Sequence, residues 1–281
     1  MRVRWSKGSA VCAAGLAAAI LTAPPRAALA QADIPAQRSA RSPFDGTWKL
    51  DNGQTQSTAH EDYLLQDGIF HCTTCEPPVA VKADGRDHRV AGNPCYDTVS
   101  VRVVDNRTTE ETNRKNGRTA GTQKVTVSGD GNTATEEWTE SCNAKGDAVS
   151  GKDILSRTAP GPAGAHAISG SWEISQRLNR SENALVISLQ LTPGTFRFSD
   201  PAGQGYAASL DGRETPMQGA LDGTMVSVKR VDEKTLEETD RRGGKVVEVT
   251  RFVISPDGKT LAITLEDKTK GTRVRFLAVK Q

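Results

Sequence analysis

The sequence predicts an all-β protein built as two tandem antiparallel meander β-barrels joined by a short Pro/Gly linker. Three observations carry that prediction. The chain matches itself at a nearly constant spacing of 127 residues, its apolar residues alternate with period two, and Gly-containing turn pairs punctuate those runs.

Residues 1–30 read as a signal peptide. Arg2, Arg4 and Lys7 form a basic start, Val11 to Leu21 is an uncharged run rich in Ala and Leu, and Ala28-Leu29-Ala30 supplies the small-x-small pattern that a signal peptidase cleaves. The run is too short to span a bilayer. Ala30-Gln31-Ala32 offers a second cleavage site. Cys12 lies inside the apolar run, upstream of the cleavage pattern, so it is not placed for lipid attachment. The expectation is a periplasmic or secreted protein, with residues 31–43 as an N-terminal linker.

Removing residues 1–30 takes away Arg2, Arg4, Lys7 and Arg26 and no acid, which leaves 32 basic against 34 acidic residues and turns a formal charge of +2 into −2. The remaining chain has neither a basic stripe nor Lys/Arg clusters interleaved with aromatics, so nucleic acid is excluded as a partner. No later stretch is long and apolar enough for a transmembrane anchor.

The repeat is read from matched segments. Asp84-Gly85-Arg86 answers Asp211-Gly212-Arg213, Thr98-Val99-Ser100-Val101 answers Met225-Val226-Ser227-Val228, and Glu110-Glu111-Thr112 answers Glu237-Glu238-Thr239. Asp130-Gly131-Asn132-Thr133 answers Asp257-Gly258-Lys259-Thr260, and Phe44 to Trp48 answers Ile168 to Trp172 at a spacing of 124. Barrel 1 is therefore placed at 44–158 and barrel 2 at 167–281. Residues 159–166, rich in Pro, Gly and Ala, form the linker between them.

Within each copy Val99, Val101 and Val103, and Leu261, Ile263 and Leu265, alternate with polar or small residues, as half-buried strands require. Asn116-Gly117, Gly243-Gly244, Asp130-Gly131 and Asp257-Gly258 supply the turns. Asn183 to Leu191 is apolar enough for a helix, but Val186, Ile187 and Thr192-Pro193-Gly194 favour a strand and a turn. About eight short strands per copy close most readily into a barrel, because closure removes exposed edges; a two-sheet sandwich is the alternative.

Gly46-Thr47-Trp48, Val81 to Arg86 with Gly92-Asn93-Pro94, and Val247 to Arg251 through Ser255 to Leu261 resemble a group of exported bacterial lipocalin-like (calycin-type) proteins without an assigned activity. The likeness covers essentially the whole mature chain, twice. It implies a calycin-type barrel in each copy, opened by a Gly-x-Trp whose indole plugs one end, so Trp48 and Trp172 are the expected barrel-end residues. It also implies a late-strand arginine stacked on the opening Trp, with Arg273 and Arg275 as candidates.

Cys72, Cys75, Cys95 and Cys142 all lie in the first copy, and in an oxidising compartment they predict two disulfides with three connectivities open. The resemblance, whose Cys-x-x-Cys-x-Pro-Pro stretch stands without the other two cysteines, implies Cys72 with Cys75 and Cys95 with Cys142. An up-and-down strand order puts Cys95 and Cys142 at the same barrel end. A flat sheet with three strand spacings of about 4.8 Å would still hold them too far apart, so curvature is required.

Sharper readings of His71-Cys72-Thr73-Thr74-Cys75 weaken on context. Haem attachment needs His where Glu76 stands, a thioredoxin-type pair needs a βαβ setting, and zinc held by these cysteines with His71, His88 or Cys95 lacks a second ligand pair at ordinary spacing. No cofactor and no metal are expected.

The four histidines, His60, His71, His88 and His166, fall into no catalytic motif, and no nucleophile elbow or phosphate loop is present. Neighbouring strand residues point to opposite faces, so Glu110-Glu111 and Glu237-Glu238 are not dyads within themselves. They read as a solvated face pairing with Lys or Arg such as Arg241 or Lys245. In the opposite case, Glu237, Thr239 and Arg241 would face a lumen. The expected function is non-enzymatic binding of a small hydrophobic or amphipathic ligand. The alternative is a structural or interaction module of the cell envelope with filled barrels and no ligand cavity.

Overall fold

The computed structural model describes residues 42–281; the predicted signal peptide and positions 31–41 of the predicted linker lie outside them. The first repeat forms β1 (Gly46–Ser57), β2 (His60–Gln66), β3 (Ile69–Cys72), β4 (Val79–Lys82), β5 (His88–Arg89), β6 (Thr98–Val103), β7 (Thr108–Lys115), β8 (Arg118–Val127), β9 (Thr133–Glu140) and β10 (Val149–Pro160). The second forms β11 (Gly170–Arg180), β12 (Val186–Leu191), β13 (Thr195–Ser199), β14 (Gly205–Ser209), β15 (Thr215–Pro216), β16 (Met225–Arg230), β17 (Thr235–Arg242), β18 (Lys245–Ile254), β19 (Thr260–Asp267) and β20 (Thr272–Lys280). The ambiguous stretch at 183 divides into a 3-10 turn, Glu182–Ala184, and strand β12.

The strands form two nearly closed antiparallel sheets of ten strands each. The count exceeds eight because of short strands such as β5 and β15, of two residues each. Equivalent bridges draw the sheet ends together: Asp84 meets Arg102 in one sheet, and Asp211 meets Lys229 in the other.

Each sheet takes nine strands from one repeat and its tenth from the other. Strand β1 lies between β12 and β20, and β11 lies between β2 and β10. The two repeats have exchanged their opening strands. The chain passes from one sheet to the other at residues 58–59 and again at 181–185. A two-residue β-hairpin at Thr58-Ala59 would need positive φ, and neither residue adopts it. Thr58 instead stays bonded to β20 through its N–H, which donates to Arg273 O at 2.9 Å, so β1 runs on past the site where it would turn. The Pro/Gly-rich stretch 159–166, expected as a linker between barrels, instead runs from the last two residues of β10 into the connection that turns β10 back onto β11 in one sheet. The matched segments of sequence mark the repeats, whereas the sheets are cut at the two crossings.

The turns follow the sequence. Asn116 and Gly117 adopt φ of 50° and 75° between Lys115 and Arg118, and Gly243 and Gly244 adopt 54° and 78° between Arg242 and Lys245, the paired left-handed residues that match hairpin twist. Asp67-Gly68 does the same between β2 and β3.

Two separate cores result. One gathers Phe196, Phe252, Leu236 and Leu261 of the second repeat around Phe44 and Trp48 of the first. The other gathers Val99, Val101, Val125 and Leu155 of the first repeat around Ile168 and Trp172 of the second. Both indoles are fully buried. At about 200 Å² each and about 25 cal/mol per Å², each burial stabilises by on the order of 5 kcal/mol before entropy is subtracted. The indole N–H of Trp48 donates to Phe44 O at 2.9 Å, and that of Trp172 donates to Ile168 O at 2.8 Å.

The cations over these rings are not Arg273 or Arg275. Arg157 lies over Trp172, and Lys280 lies over Trp48. Arg273 instead pairs with Glu266 on the exposed face of its strand. Arg157 and Lys280 occupy the same place in their strands, because Leu155 pairs with Ala134 where Ala278 pairs with Leu261. The exchange of β1 and β11 makes each of these contacts a contact between repeats.

Candidate functional site

Period-two alternation decides which polar residues enter the barrels. On β17, Glu238, Asp240 and Arg242 share the face of the fully buried Leu236, and on β18, Glu248 and Thr250 share the face of Phe252 and Ile254. Those residues point inward, and the face of Glu237 points outward. Glu237 pairs with Lys229 at 2.8 Å and with Arg251 at 2.6 Å, and Arg241 approaches Glu214 at 3.6 Å. The alternative in which Glu237, Thr239 and Arg241 face a lumen is therefore corrected by one residue, to Glu238, Asp240 and Arg242. The solvated-face reading holds for Glu237 and for Glu110, which pairs with Arg102 and Lys124. It does not hold for Glu111 and Glu238, which line a cavity. The buried Leu236 beside Glu237 was the signal in the sequence that fixes this register.

The cavity has a volume of about 460 Å³ and takes its walls from both barrels. Phe198, Phe252, Ile263 and Phe276 form an apolar wall in the sheet that contains β12 to β20. Tyr63, Glu111, Asn113 and Gln123 contribute from the other sheet. Gln123 donates to Tyr63 Oη at 3.2 Å and also bonds Glu136, so this side is a connected polar network. The rims meet directly: Lys270 Nζ donates to Thr74 O at 2.6 Å, and Lys145 Nζ donates to Pro201 O at 2.7 Å.

The two sides differ at matched positions. Asn113 pairs with Gly121 across β7 and β8, whereas Asp240 pairs with Glu248 across β17 and β18. Cys72 pairs with Val79 where Phe198 pairs with Tyr206. The second repeat thus holds an acid pair and an aromatic pair where the first holds an amide, a glycine and a disulfide cysteine.

Electrostatics mark the acidic end. Burial raises Glu248 to about 7, helped by the charge of Asp240. Burial likewise raises Asp240 to about 6. Glu238 stands well above the usual carboxylate range, through burial first and the charge of Asp240 second, while the Tyr206 hydroxyl donates to its Oε2. Burial and the neighbouring Glu238 hold the Tyr206 phenol well above its ordinary value. Asp240 Oδ1 is buried without a hydrogen-bond partner.

Both disulfides border this space. Cys72 bonds Cys75 and Cys95 bonds Cys142, with Cα separations of 5.4 and 5.6 Å. Cys95 precedes β6 and Cys142 follows β9, and barrel curvature brings them together. Cys75, Cys95 and Cys142 line the cavity wall. The two bonds fit an oxidising, non-cytoplasmic environment. Among the described residues, the one group of three spaced for a metal ion is Cys95, Glu140 and Cys142, and two of its three atoms are spent in the disulfide.

His60 lies at the cavity wall, whereas His88 pairs with Asp84 on the surface at 2.8 Å, and His166 sits in the connection between β10 and β11. Trp48 and Trp172 do not line the cavity; they fill the cores. Among the described residues, no helix is long and apolar enough to cross a membrane. The chain matches no protein-family model and no curated protein in the comparisons made.

Proposed function

We propose that this is an exported, non-enzymatic binding protein of the lipocalin-like kind that holds one small amphipathic molecule between its barrels. The observation that carries this reading is the joint cavity of about 460 Å³, in which inward carboxylates stand beside aromatic and aliphatic side chains of the same sheet. Sites for small molecules typically enclose about 300–1,000 Å³, mostly apolar with a few convergent polar groups. A filled-barrel interaction module would have no use for buried acids that cost solvation, whereas a bound polar head offsets that cost.

Native mass spectrometry of the mature protein, purified from a periplasm without detergent, tests this reading. A co-purifying small molecule that is lost in Ile263→Trp, where the indole would occupy the cavity, is the expected result. An apo mass that does not shift on exposure to a panel of amphiphiles overturns it.

A second reading has its own observation. Glu238, Asp240, Glu248 and Tyr206 converge with displaced acidities, a pattern common where protons are transferred during catalysis. Recovery of a chemically altered ligand from the wild type, and of the unaltered ligand from Glu248→Gln, would favour this enzyme reading over simple binding.

A further inference from the structure

We propose that the molecule held between the barrels is a cationic amphiphile, an apolar body bearing a protonated amine whose ammonium lies against Asp240 and Glu248. This rests on the cavity being a ligand site, and it names the charge of the ligand.

The wall is strongly one-signed. Eight carboxylates line it, Glu61, Glu76, Glu111, Glu140, Glu238, Asp240, Glu248 and Asp267, against Arg242 and Lys270 as the fixed cations. Both cations are already engaged. Arg242 Nε pairs with Asp222 at 2.8 Å, and Lys270 Nζ donates to Thr74 O at 2.6 Å. Among the described residues, no Lys or Arg forms an ion pair with Glu238, Asp240 or Glu248. Glu238 accepts from Tyr206 and Glu248 accepts from Thr250 at 3.2 Å; Asp240 shares a side-chain hydrogen bond with Glu238, and its Oδ1 is buried without a partner.

That arrangement is short of hydrogen-bond donors and of positive charge for the number of carboxylates it holds. A primary ammonium brings three donors, no acceptor and one positive charge, so it satisfies the orphan oxygen and relieves the repulsion between Asp240 and its neighbours. A carboxylate head would add to that repulsion. A bare divalent ion is a poorer fit, because the oxygens of Glu238, Asp240 and Glu248 do not gather within 4.8 Å as a triad. Phe198, Phe252, Ile263 and Phe276 provide the surface that the apolar body would cover, and aromatic faces also attract a nearby cation.

Titration gives a second signature. The groups facing Asp240 and Glu248 are Glu238 and Arg242 on β17, Asp222 before β16, Asp267 on β19 and Tyr206 on β14, with Glu76 and Glu111 on the wall of the other sheet. With Asp240 near 6 and Glu248 near 7, the acidic end gains charge as pH rises through that range. The preference for a cation should rise with it.

Calorimetric titration of the oxidised protein with octylamine, octanol and octanoate, and with the phenyl-ended counterparts of each, tests the proposal. At about pH 8 the amine is expected to bind about ten-fold or more tighter than the alcohol, and at about pH 5 that advantage shrinks toward none. In the Asp240→Asn, Glu248→Gln double variant, which removes two buried charges and keeps both shapes, the amine should lose its advantage over the alcohol at both pH values. If the alcohol or carboxylate equals or exceeds the amine at about pH 8, the charge assignment is overturned while the cavity remains a ligand site. If none of the probes binds, the ligand-site reading fails and this proposal fails with it.

Discussion

The guanidinium of Arg157 lies 4.0 Å from the ring centre of Trp172, although the two residues belong to different repeats. Arg157 also donates from Nε to Gly131 O at 2.5 Å, from Nη1 to Ser169 O, and from Nη2 to Ala167 O at 2.6 Å. One side chain therefore caps the buried indole, a hairpin turn and the connection that leads into β11. Arg157→Ala removes the cation–π contact and leaves partly buried carbonyls without donors. The expected loss is about 2–3 kcal/mol, measured as a lowered denaturant midpoint with an unchanged slope. Arg157→Lys should recover only part of this, because one ammonium does not replace a planar fork that reaches several carbonyls.

The strand exchange predicts which fragments fold. The piece from His60 to Arg180 contains all ten strands of one sheet together with Ile168 and Trp172 of its core. The piece from 44 to 158 follows the sequence repeat, but lacks β11 and both of those core residues. Expressed separately and oxidised, the first should unfold cooperatively on heating as a monomer. The second should be open between β2 and β10 and either associate through those edges or remain non-cooperative. Circular dichroism melts with light scattering distinguish the two, and a cooperative monomeric 44–158 would show that its own β1 can fill the gap.

Much of this architecture was legible in the residues, and the reasons are local. Asn116-Gly117 and Gly243-Gly244 set hairpin geometry through backbone chirality alone, and the alternation at Leu261 and Ile263 sets a face, so strands and turns could be read in order. Exchange of β1 and β11 was not legible. Gly46-Thr47-Trp48 and Gly170-Ser171-Trp172 carry the same pattern, and that pattern does not distinguish a repeat's own opening strand from its sister's. The inward acids were half legible. Leu236 fixed the face of Glu238 and Asp240, but the space they line exists only where two barrels meet, which no periodicity reports. The cations over Trp48 and Trp172 were misplaced at Arg273 and Arg275 because the resemblance supplied a residue type and not a register; strand pairing puts Lys280 and Arg157 there.

The Cys95–Cys142 bond spans 47 residues across β6 to β9, whereas Cys72–Cys75 spans three. In the chain-entropy account the longer loop stabilises by about 4 kcal/mol and the shorter by about 2. Cys95→Ser with Cys142→Ser should therefore lower stability more than Cys72→Ser with Cys75→Ser, as read by urea denaturation. Because Cys95 and Cys142 also line the cavity, the first pair of changes should weaken ligand retention as well.

The buried acids make stability fall with rising pH. Glu248 is raised from 4.5 to about 7 and Asp240 from 3.8 to about 6, each by burial, so the native state holds protons that the unfolded chain releases earlier. Their contribution is fully present below the ordinary carboxylate range and is lost as pH rises through about 6 to 7. A displacement of this size corresponds to roughly 3 kcal/mol for a single group, and the two do not add because each responds to the other's charge. Opposing contributions come from exposed acids held low by hydrogen bonds and cations, such as Asp84 beside His88, Glu237 beside Lys229 and Arg251, and Glu266 beside Lys268; solvent screening keeps these small. The ligand-free protein should therefore be more stable at about pH 5 than at about pH 8. Glu248→Gln should flatten that slope by raising stability at the alkaline end by about 1–2 kcal/mol, since an amide carries no charge to bury. Urea titrations across the range read the slope directly, and an increase in wild-type stability toward pH 8 would mean that Asp240 and Glu248 are solvated rather than enclosed.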